Sequence, residues 1–177
     1  MPPREPEPSA ANAGGNAERI PPDAFRDAMA HMPTGVTVVT AFGPEGPSGL
    51  TANAVSSLSL DPPLMLACLD RGSRTLRAVE HAGRFGVNVL AAEQADVARS
   101  FGTKLEMHEK WEGIAWRERN AIPSLEGTVA WVGCELRDVL AGGDHVIVTG
   151  RVLDVASGNG DPLVFYRGSY MGLGEAP

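Results

Sequence analysis

The chain has 177 residues, enough for one ordinary domain and too few for a two-domain enzyme, since single cores run to roughly 100–200 residues. Hydrophobic residues make up 43% and charged residues 21%, so a sizeable core can be buried. Fifteen basic residues against 22 acidic ones leave a net charge of −7, which repels polyphosphate chains and anionic lipid, so neither nucleic acid nor membrane is an expected partner.

Residues 1–22 are rich in Pro, Ala, Gly, Asn and Glu and are expected to be a disordered extension, leaving 23–177 as the folded domain. The first residues lack the cationic start and apolar centre of a secretory signal, and no apolar run nears the roughly 18 residues of a membrane span, so a cytoplasmic location is expected. Asp23 reads as the N-cap of a short amphipathic helix, with Phe25, Ala28, Met29 and Met32 at helical spacing until Pro33 and Gly35 end it. Period two then takes over, with a strand over 36–42, a turn from Gly43 to Pro47 and a second strand over 50–60, paired as a hairpin. Asp61, Pro62 and Pro63 break that second strand, because proline cannot donate to a ladder, and 64–69 reads as a fully buried third strand. Ser73 can cap a short helix that carries Leu76 and Val79 and ends at Gly83, after which 85–90 resumes strand. Residues 92–101 form a second short helix with Val97, Ala98 and Phe101 on one side. Residues 102–125 have weak periodicity, high charge and two tryptophans, the marks of a long surface excursion. Strands over 128–140 and 145–155 flank a Gly142-Gly143-Asp144 turn, and 163–166 ends the pattern.

Seven strand candidates, mostly antiparallel and separated by short helices, predict a mainly β chain closed or partly closed into a barrel. A Rossmann domain is disfavoured, because no Gly-x-Gly-x-x-Gly joins a strand to a helix; a Walker loop, a His-Glu-x-x-His motif and internal repeats are also missing from the sequence. Cys68 and Cys134 lie in apolar runs and read as buried, reduced packing residues. The four histidines lack metal-ligand spacing, so no metal site is expected.

The segment from Gly49 to Pro63 is unusually rich in hydroxyls and amides. On one continuous strand Thr51, Asn53, Val55, Ser57 and Ser59 face one way, and Ala52, Ala54, Ser56, Leu58 and Leu60 the other. The polar face is either a solvated exterior or a ligand wall, where an amide suits the edge of a heteroaromatic ring. A second cluster, Asp70 to Thr75, either converges Arg71, Arg74, Ser73 and Thr75 on a phosphate or merely caps a helix with Ser73. His145 opens a strand at a hairpin turn, where an imidazole can project from a barrel rim toward a substrate or bond its own backbone. Tyr166, Arg167 and Tyr170 offer two aromatic platforms and a cation. Nucleophilic catalysis finds no Gly-x-Ser-x-Gly elbow and no charged activator near either cysteine.

The residues from Phe25 to Thr40, the Gly49 to Pro63 segment, the 85–90 strand, Gly143-Asp144-His145 and the stretch from Pro162 to Gly168 together resemble the short-chain flavin reductases. The resemblance spans roughly residues 23–170. It implies a split-barrel FMN-binding fold of Greek-key type and a homodimer. It also implies an NAD(P)H-dependent oxidoreductase that passes hydride from NADH or NADPH to FMN or FAD and supplies reduced flavin to a partner monooxygenase. Within that resemblance Pro33, Thr34, Gly35, Val36 and Thr37 match the first flavin-contacting strand, and Thr51, Ala52 and Asn53 meet the ring edge. Ser56, Ser57, Leu58 and Ser59 continue along the ribityl chain, Cys68 and Leu69 line the neighbouring strand, and Arg71, Ser73 and Thr75 hold the phosphate. Phe101 borders the pocket, His145 approaches the nicotinamide as the catalytic residue, and Tyr166, Arg167 and Tyr170 close over either ligand from the same or the other subunit. A different reading uses the same barrel as a non-catalytic flavin-binding or sensing module.

Overall fold

The computed structural model describes residues 20–173, so most of the extension expected over 1–22 lies outside the described residues. The first helix, α1 (Pro22–Met29), begins two residues earlier than expected: Pro21 stands at the N-cap with Pro22 in the first turn, and Asp23 lies inside the helix. α1 buries none of its residues, and Phe25, Met29 and the following Met32 are all exposed.

The rest is mainly β. Seven strands form one antiparallel sheet: β2 (Thr37–Gly43), β3 (Gly46–Ala52), β4 (Val55–Leu60), β5 (Pro63–Asp70), β6 (Arg84–Val89), β9 (Ala130–Gly142) and β10 (His145–Ser157), in the order β3-β2-β6-β9-β10-β5-β4. A small sheet joins β1 (Thr34–Gly35), β11 (Val164–Tyr166) and β12 (Ser169–Met171), and β7 (Trp116–Arg119) pairs with β8 (Ile122–Leu125). The helices are α2 (Arg74–Ala82), α3 (Ala95–Gly102) after a 3₁₀ turn at Ala92–Gln94, and α4 (Met107–Trp111).

Several expectations are corrected. The strand expected over 50–60 is two strands, β3 and β4, which lie at opposite edges of the seven-stranded sheet and are linked by Asn53 and Ala54 alone. A flat sheet would hold its edges six spacings apart, about 29 Å, whereas three Cα steps span at most about 11 Å. The sheet therefore curls until its edges meet at this link. Curvature is assisted by register shifts between β9 and β10 at Thr149/Gly150 and Val152/Asp154, and between β4 and β5 at Ser57/Ser59. The third strand is not fully buried: in β5 only Ala67 and Leu69 are, because one face turns inward. The 102–125 stretch is not structureless, since it forms α4 and the β7–β8 hairpin, whose Ile122 and Leu125 are core residues. A further strand, β12, follows the end expected at Tyr166.

One apolar cluster draws on every strand of the curled sheet, from Val39 of β2 and Ala52 of β3 through Val55, Leu69, Phe85 and Cys134 to Val148, with Leu76 and Val79 of α2 plugging it. α2 forms as expected: Ser73 Oγ accepts from the amides of Thr75 and Leu76, and Gly83 ends the helix at φ +63°. A second cluster lies on the other face of β2, where Val36 and Val38 meet Phe101, Trp111, Leu125 and Leu163. That explains why β2 has five consecutive buried residues instead of an alternation. Buried Asn88 ties three strands together, donating to Val38 O (2.9 Å) and Thr40 Oγ1 (3.1 Å) and accepting from the Leu125 amide (2.8 Å). Both cysteines are free. Cys134 is buried and its thiol pKa is pushed up to about 12 by desolvation, while Cys68 is only half-buried, against expectation.

Gly150 of β10 gives a stringent test of the packing inside the curl. A Cβ there would lie 2.6 Å from two Phe85 ring atoms and 2.7 Å from Cys134 Cβ, none of which has room to yield. Gly150→Ala should destabilise the fold by about 1–3 kcal/mol in urea unfolding despite the entropic advantage of alanine. An unchanged midpoint would show that the interior is looser than described.

Lys110 supplies a pH test. It is buried on α4 with Nζ donating to Phe101 O at 3.1 Å, and desolvation first, then the Arg74 charge, hold its pKa below the ordinary lysine value. The unfolded chain holds that proton more tightly, so folding stability rises with pH through the interval between the lowered value and the ordinary one. Lys110→Met should remove this term, and the stability difference should move toward the wild type as pH is raised through the interval. A difference that does not change with pH would contradict it.

Candidate active site

Strand register carries the expected residues along one continuous path at the mouth of the curled sheet. Thr37 stands beside Ala52 on β3, and the Thr37 hydroxyl donates to Ala52 O at 2.5 Å. The link then passes through exposed Asn53 to Ala54, whose carbonyl accepts from the Cys68 amide at 2.9 Å. Cys68 is paired with Ile147, and two positions on Asp70 is paired with His145. Ser56, Ser57 and Leu58 are exposed on β4 beside this path, and Ser59 is partly so. The alternation expected on one long strand does not apply, because the chain changes edges at Asn53.

The N-terminal contributors sit on a second layer at the same mouth. Pro33 precedes β1, where Thr34 pairs with Phe165 and Gly35 with Val164, so the small sheet brings Tyr166, Arg167 and Tyr170 alongside Thr34. Arg167 occupies the β11–β12 turn at φ +50°, its amide bonded to Ala30 O at 3.0 Å and its guanidinium 5.9 Å from the Tyr166 ring. Tyr170 packs against Phe165 at 5.3 Å, with Arg99 over its outer face. Among the described residues, Thr34 Oγ1 is a buried hydroxyl without a hydrogen-bond partner.

Other expected residues are drawn away from the mouth. Val36, Leu69 and Phe101 are core side chains, and Phe101 is locked edge-on against Trp111 at 4.9 Å. Thr75 is 1% exposed and its hydroxyl lies 3.1 Å from Ser48 Oγ beneath α2. Ser73 is spent on capping α2, Arg71 Nε donates to Gly143 O at 2.7 Å, and Arg74 pairs with Glu106. The expected convergence of these hydroxyls and guanidinia on one phosphate is thus not formed, and the capping alternative holds for Ser73.

His145 does project at the rim. Its Nδ1 lies 2.7 Å from Asp144 Oδ1, and half of its side chain is exposed. The hydrogen bond from His145, more than its charge, holds the Asp144 carboxyl below the usual carboxylate range. Sequence reasoning found the Gly-Asp-His turn but missed Asp144 as a partner, because spacing along a chain does not reveal which ring nitrogen a neighbour reaches. It also missed a cleft of about 940 Å³ between the β2–β3 turn, α2 and α4, lined by Arg74, Arg77, His81, Met107, His108 and Trp111. Of the residues considered for the site, that cleft includes only Arg74.

Comparison with known proteins places the chain. Residues 29–174 match the model of the flavin reductase like domain. A flavin reductase from Pseudomonas putida is 42% identical over 157 residues, covering 87% of this chain and 91% of that protein. The reductase subunit HsaB of a flavin-dependent monooxygenase from Mycobacterium tuberculosis is 40% identical, covering 88% of this chain and 84% of its own length. A longer relative from Rhizobium meliloti, 42% identical, is spanned by this chain over only 50% of its length. Among solved structures, the Streptomyces globisporus NADH:FAD oxidoreductase SgcE6 with NAD and FAD fragments superposes with a TM-score of 0.82 at 30% identity, covering 90% of this chain and 98% of that one.

The Thr34 hydroxyl generates a prediction for the protein alone. A buried donor without a partner costs stability, so Thr34→Val, which replaces the hydroxyl by a methyl of similar size, should leave the urea-unfolding free energy unchanged or raise it by about 1 kcal/mol. A loss of more than about 1 kcal/mol would mean that the hydroxyl is satisfied in solution.

Proposed function

We propose, on the premise that the chain belongs to the flavin reductase like domain family, that the mouth of its curled sheet is where reduced nicotinamide meets flavin. The protein is an oxidoreductase that reduces flavin with NAD(P)H and supplies reduced flavin to a partner monooxygenase. The observation that supports the placement is the register path from Thr37 and Ala52 through Asn53 to Cys68 and His145, which carries exposed Asn53 and the half-exposed His145 ring to either side of β5.

The residues there suit a flavin, FMN or FAD. Thr34 holds a buried hydroxyl in need of a partner, and Asn53 offers an exposed amide with donor and acceptor on one side chain. In this reading Pro33, Thr34, Gly35 and Thr37 lie along the ring system with Thr51 to Asn53, and Ser56 to Ser59 follow the ribityl chain. Tyr166, Arg167 and Tyr170 close over the bound ligands, and His145 orients the nicotinamide. When bound, the flavin would supply the two-electron acceptor for a hydride from reduced nicotinamide. The chain's own contribution is geometric, stacking two planar rings at roughly 3–3.5 Å and keeping hydrogen-bond donors near the carbonyl edge, where negative charge grows.

The assembly proposed with this site is a split barrel in a homodimer. The two-residue link between opposite sheet edges supports the barrel. An isolated eight-residue helix that buries nothing is not stable in water, so the exposed Phe25, Met29 and Met32 support a second copy covering α1. A single domain from residue 23 onward and a cytoplasmic location belong to the same reading, the latter supported by two unpaired cysteines. No helix among the described residues is long and apolar enough to cross a membrane.

The test is anaerobic mixing of the protein with each flavin and each reduced nicotinamide. Bleaching of the flavin over many turnovers per protein is expected for at least one pairing, and none with any pairing would sink the function. Asn53→Ala should raise the flavin dissociation constant about tenfold, the equivalent of one charge-neutral hydrogen bond with its orientation, while leaving the nicotinamide KM within twofold. An unchanged flavin constant would remove Asn53 from the site.

A further inference from the structure

We infer that the cleft between the β2–β3 turn, α2 and α4 is a ligand site of its own, which takes an aromatic carboxylate and holds the anionic end on α2 with Arg77 and His81. It shares no residue with the register path from Thr37 to His145, so it is a site separate from the mouth.

The cleft is preformed. At about 940 Å³ it has the size of pockets that enclose a small organic molecule. Its floor forms where the hairpin tip presses on α2: a Cβ on Gly43 would lie 3.3 Å from Ala78 Cβ. Met107, a residue type with a loose side chain, is pinned there, because its Sδ accepts from Ser48 Oγ at 3.5 Å and from the Gly49 amide at 3.4 Å. Trp111 lines the same cleft and is wedged edge-on between Phe101 and Trp116. Arg74 straps the start of α2 to the start of α4, donating to Glu106 Oε2 at 2.5 Å and to Leu105 O. A ligand therefore has few side chains left to order, which removes one of the main costs of binding.

The charges are sorted by wall. Arg74, Arg77 and His81 are three and four residues apart on α2 and share the face that borders the cleft. Glu45 of the turn and His108 and Glu112 of the α4 side stand on the other walls. Arg74 is neutralised by Glu106. Arg77 is exposed and, among the described residues, forms no ion pair, although Glu80 stands three positions further along the helix. In a chain of net charge −7 that leaves one uncompensated guanidinium beside an apolar floor, with an imidazole N–H one helical turn further on. A guanidinium fork matches a carboxylate with two parallel hydrogen bonds, and the His81 ring can add a third donor. Glu45 and Glu112 repel an anion from the opposite walls and so orient it toward α2. The thioether of Met107 and the edge of Trp111 favour a flat aromatic body between them.

Calorimetric titration of the full chain with naphthoate tests this, alongside its neutral isostere naphthamide and the cation naphthylmethylammonium. Naphthoate should bind saturably, one molecule per chain, and about tenfold more tightly than the amide, as expected for one charge-assisted hydrogen bond at a partly exposed site. Raising the salt concentration should narrow that preference. Arg77→Gln, an exposed substitution, should abolish it while leaving flavin turnover unchanged, and His81→Gln should reduce it. Absence of saturable naphthoate binding, equal affinity for the amide, or tighter binding of the ammonium compound would overturn the inference, as would a preference that survives Arg77→Gln. Displacement of bound naphthoate by FMN or NADH would assign the probe to the mouth and overturn it as well. All of these outcomes leave flavin reduction standing, since none of them reads turnover in the wild type.

Discussion

Two residues, Asn53 and Ala54, hold the architecture together. They join strands that are six places apart in the sheet, and no flat arrangement can satisfy so short a connection. The sheet must wrap, and wrapping forces every strand to give one face to a common interior that α2 then fills. The register shifts in β4, β9 and β10, and the glycines at positions 86, 133 and 150 over which the Trp131 and Phe85 rings pass, are the local means by which strands this long accept the bend.

The same link creates the opening. Where a strand ends and the chain crosses to the other edge, backbone groups leave the ladder and side chains face outward without a neighbour on one side. Asn53 stands there, and strand register brings the His145 turn to the same rim. The second layer, β1 with β11 and β12, is assembled from residues more than a hundred positions apart and adds Thr34 with the Tyr166 to Tyr170 group. The small sheet adds its polar residues at the Thr37 end of β2, while the link carries Asn53 toward β5, the strand that pairs with the His145 end of β10.

Much of this was legible in the sequence, for identifiable reasons. The α2 helix was read correctly because Ser73 and Gly83 carry their own local instructions, a hydroxyl for free amides and a residue at ease with positive φ. The β9–β10 hairpin was visible for the same kind of reason, through Gly142, Gly143 and Asp144. The break at Asn53 was not, since Thr51 to Leu60 alternates as a strand should and nothing local marks an edge change; only the closed sheet demands it. The 102–125 stretch was misread because α4 and the β7–β8 hairpin are held by Val38, Phe101 and Asn88 from elsewhere. Likewise the spacing left Thr75 open between a phosphate ligand and part of a helix start, and only the resemblance favoured the phosphate; the helical turn that follows Ser73 rotates its hydroxyl inward to Ser48.

The setting of Cys134 carries a consequence for life in air. Reduced flavin that escapes delivery reacts with dioxygen and yields hydrogen peroxide, so an enzyme of this kind is exposed to the oxidant its own product generates. Peroxide attacks sulfur as the thiolate. With its pKa pushed up to about 12 by desolvation, Cys134 stays a thiol at neutral pH, and it is fully buried in the core. The wrapped sheet thereby shields the sulfur at its centre from that by-product.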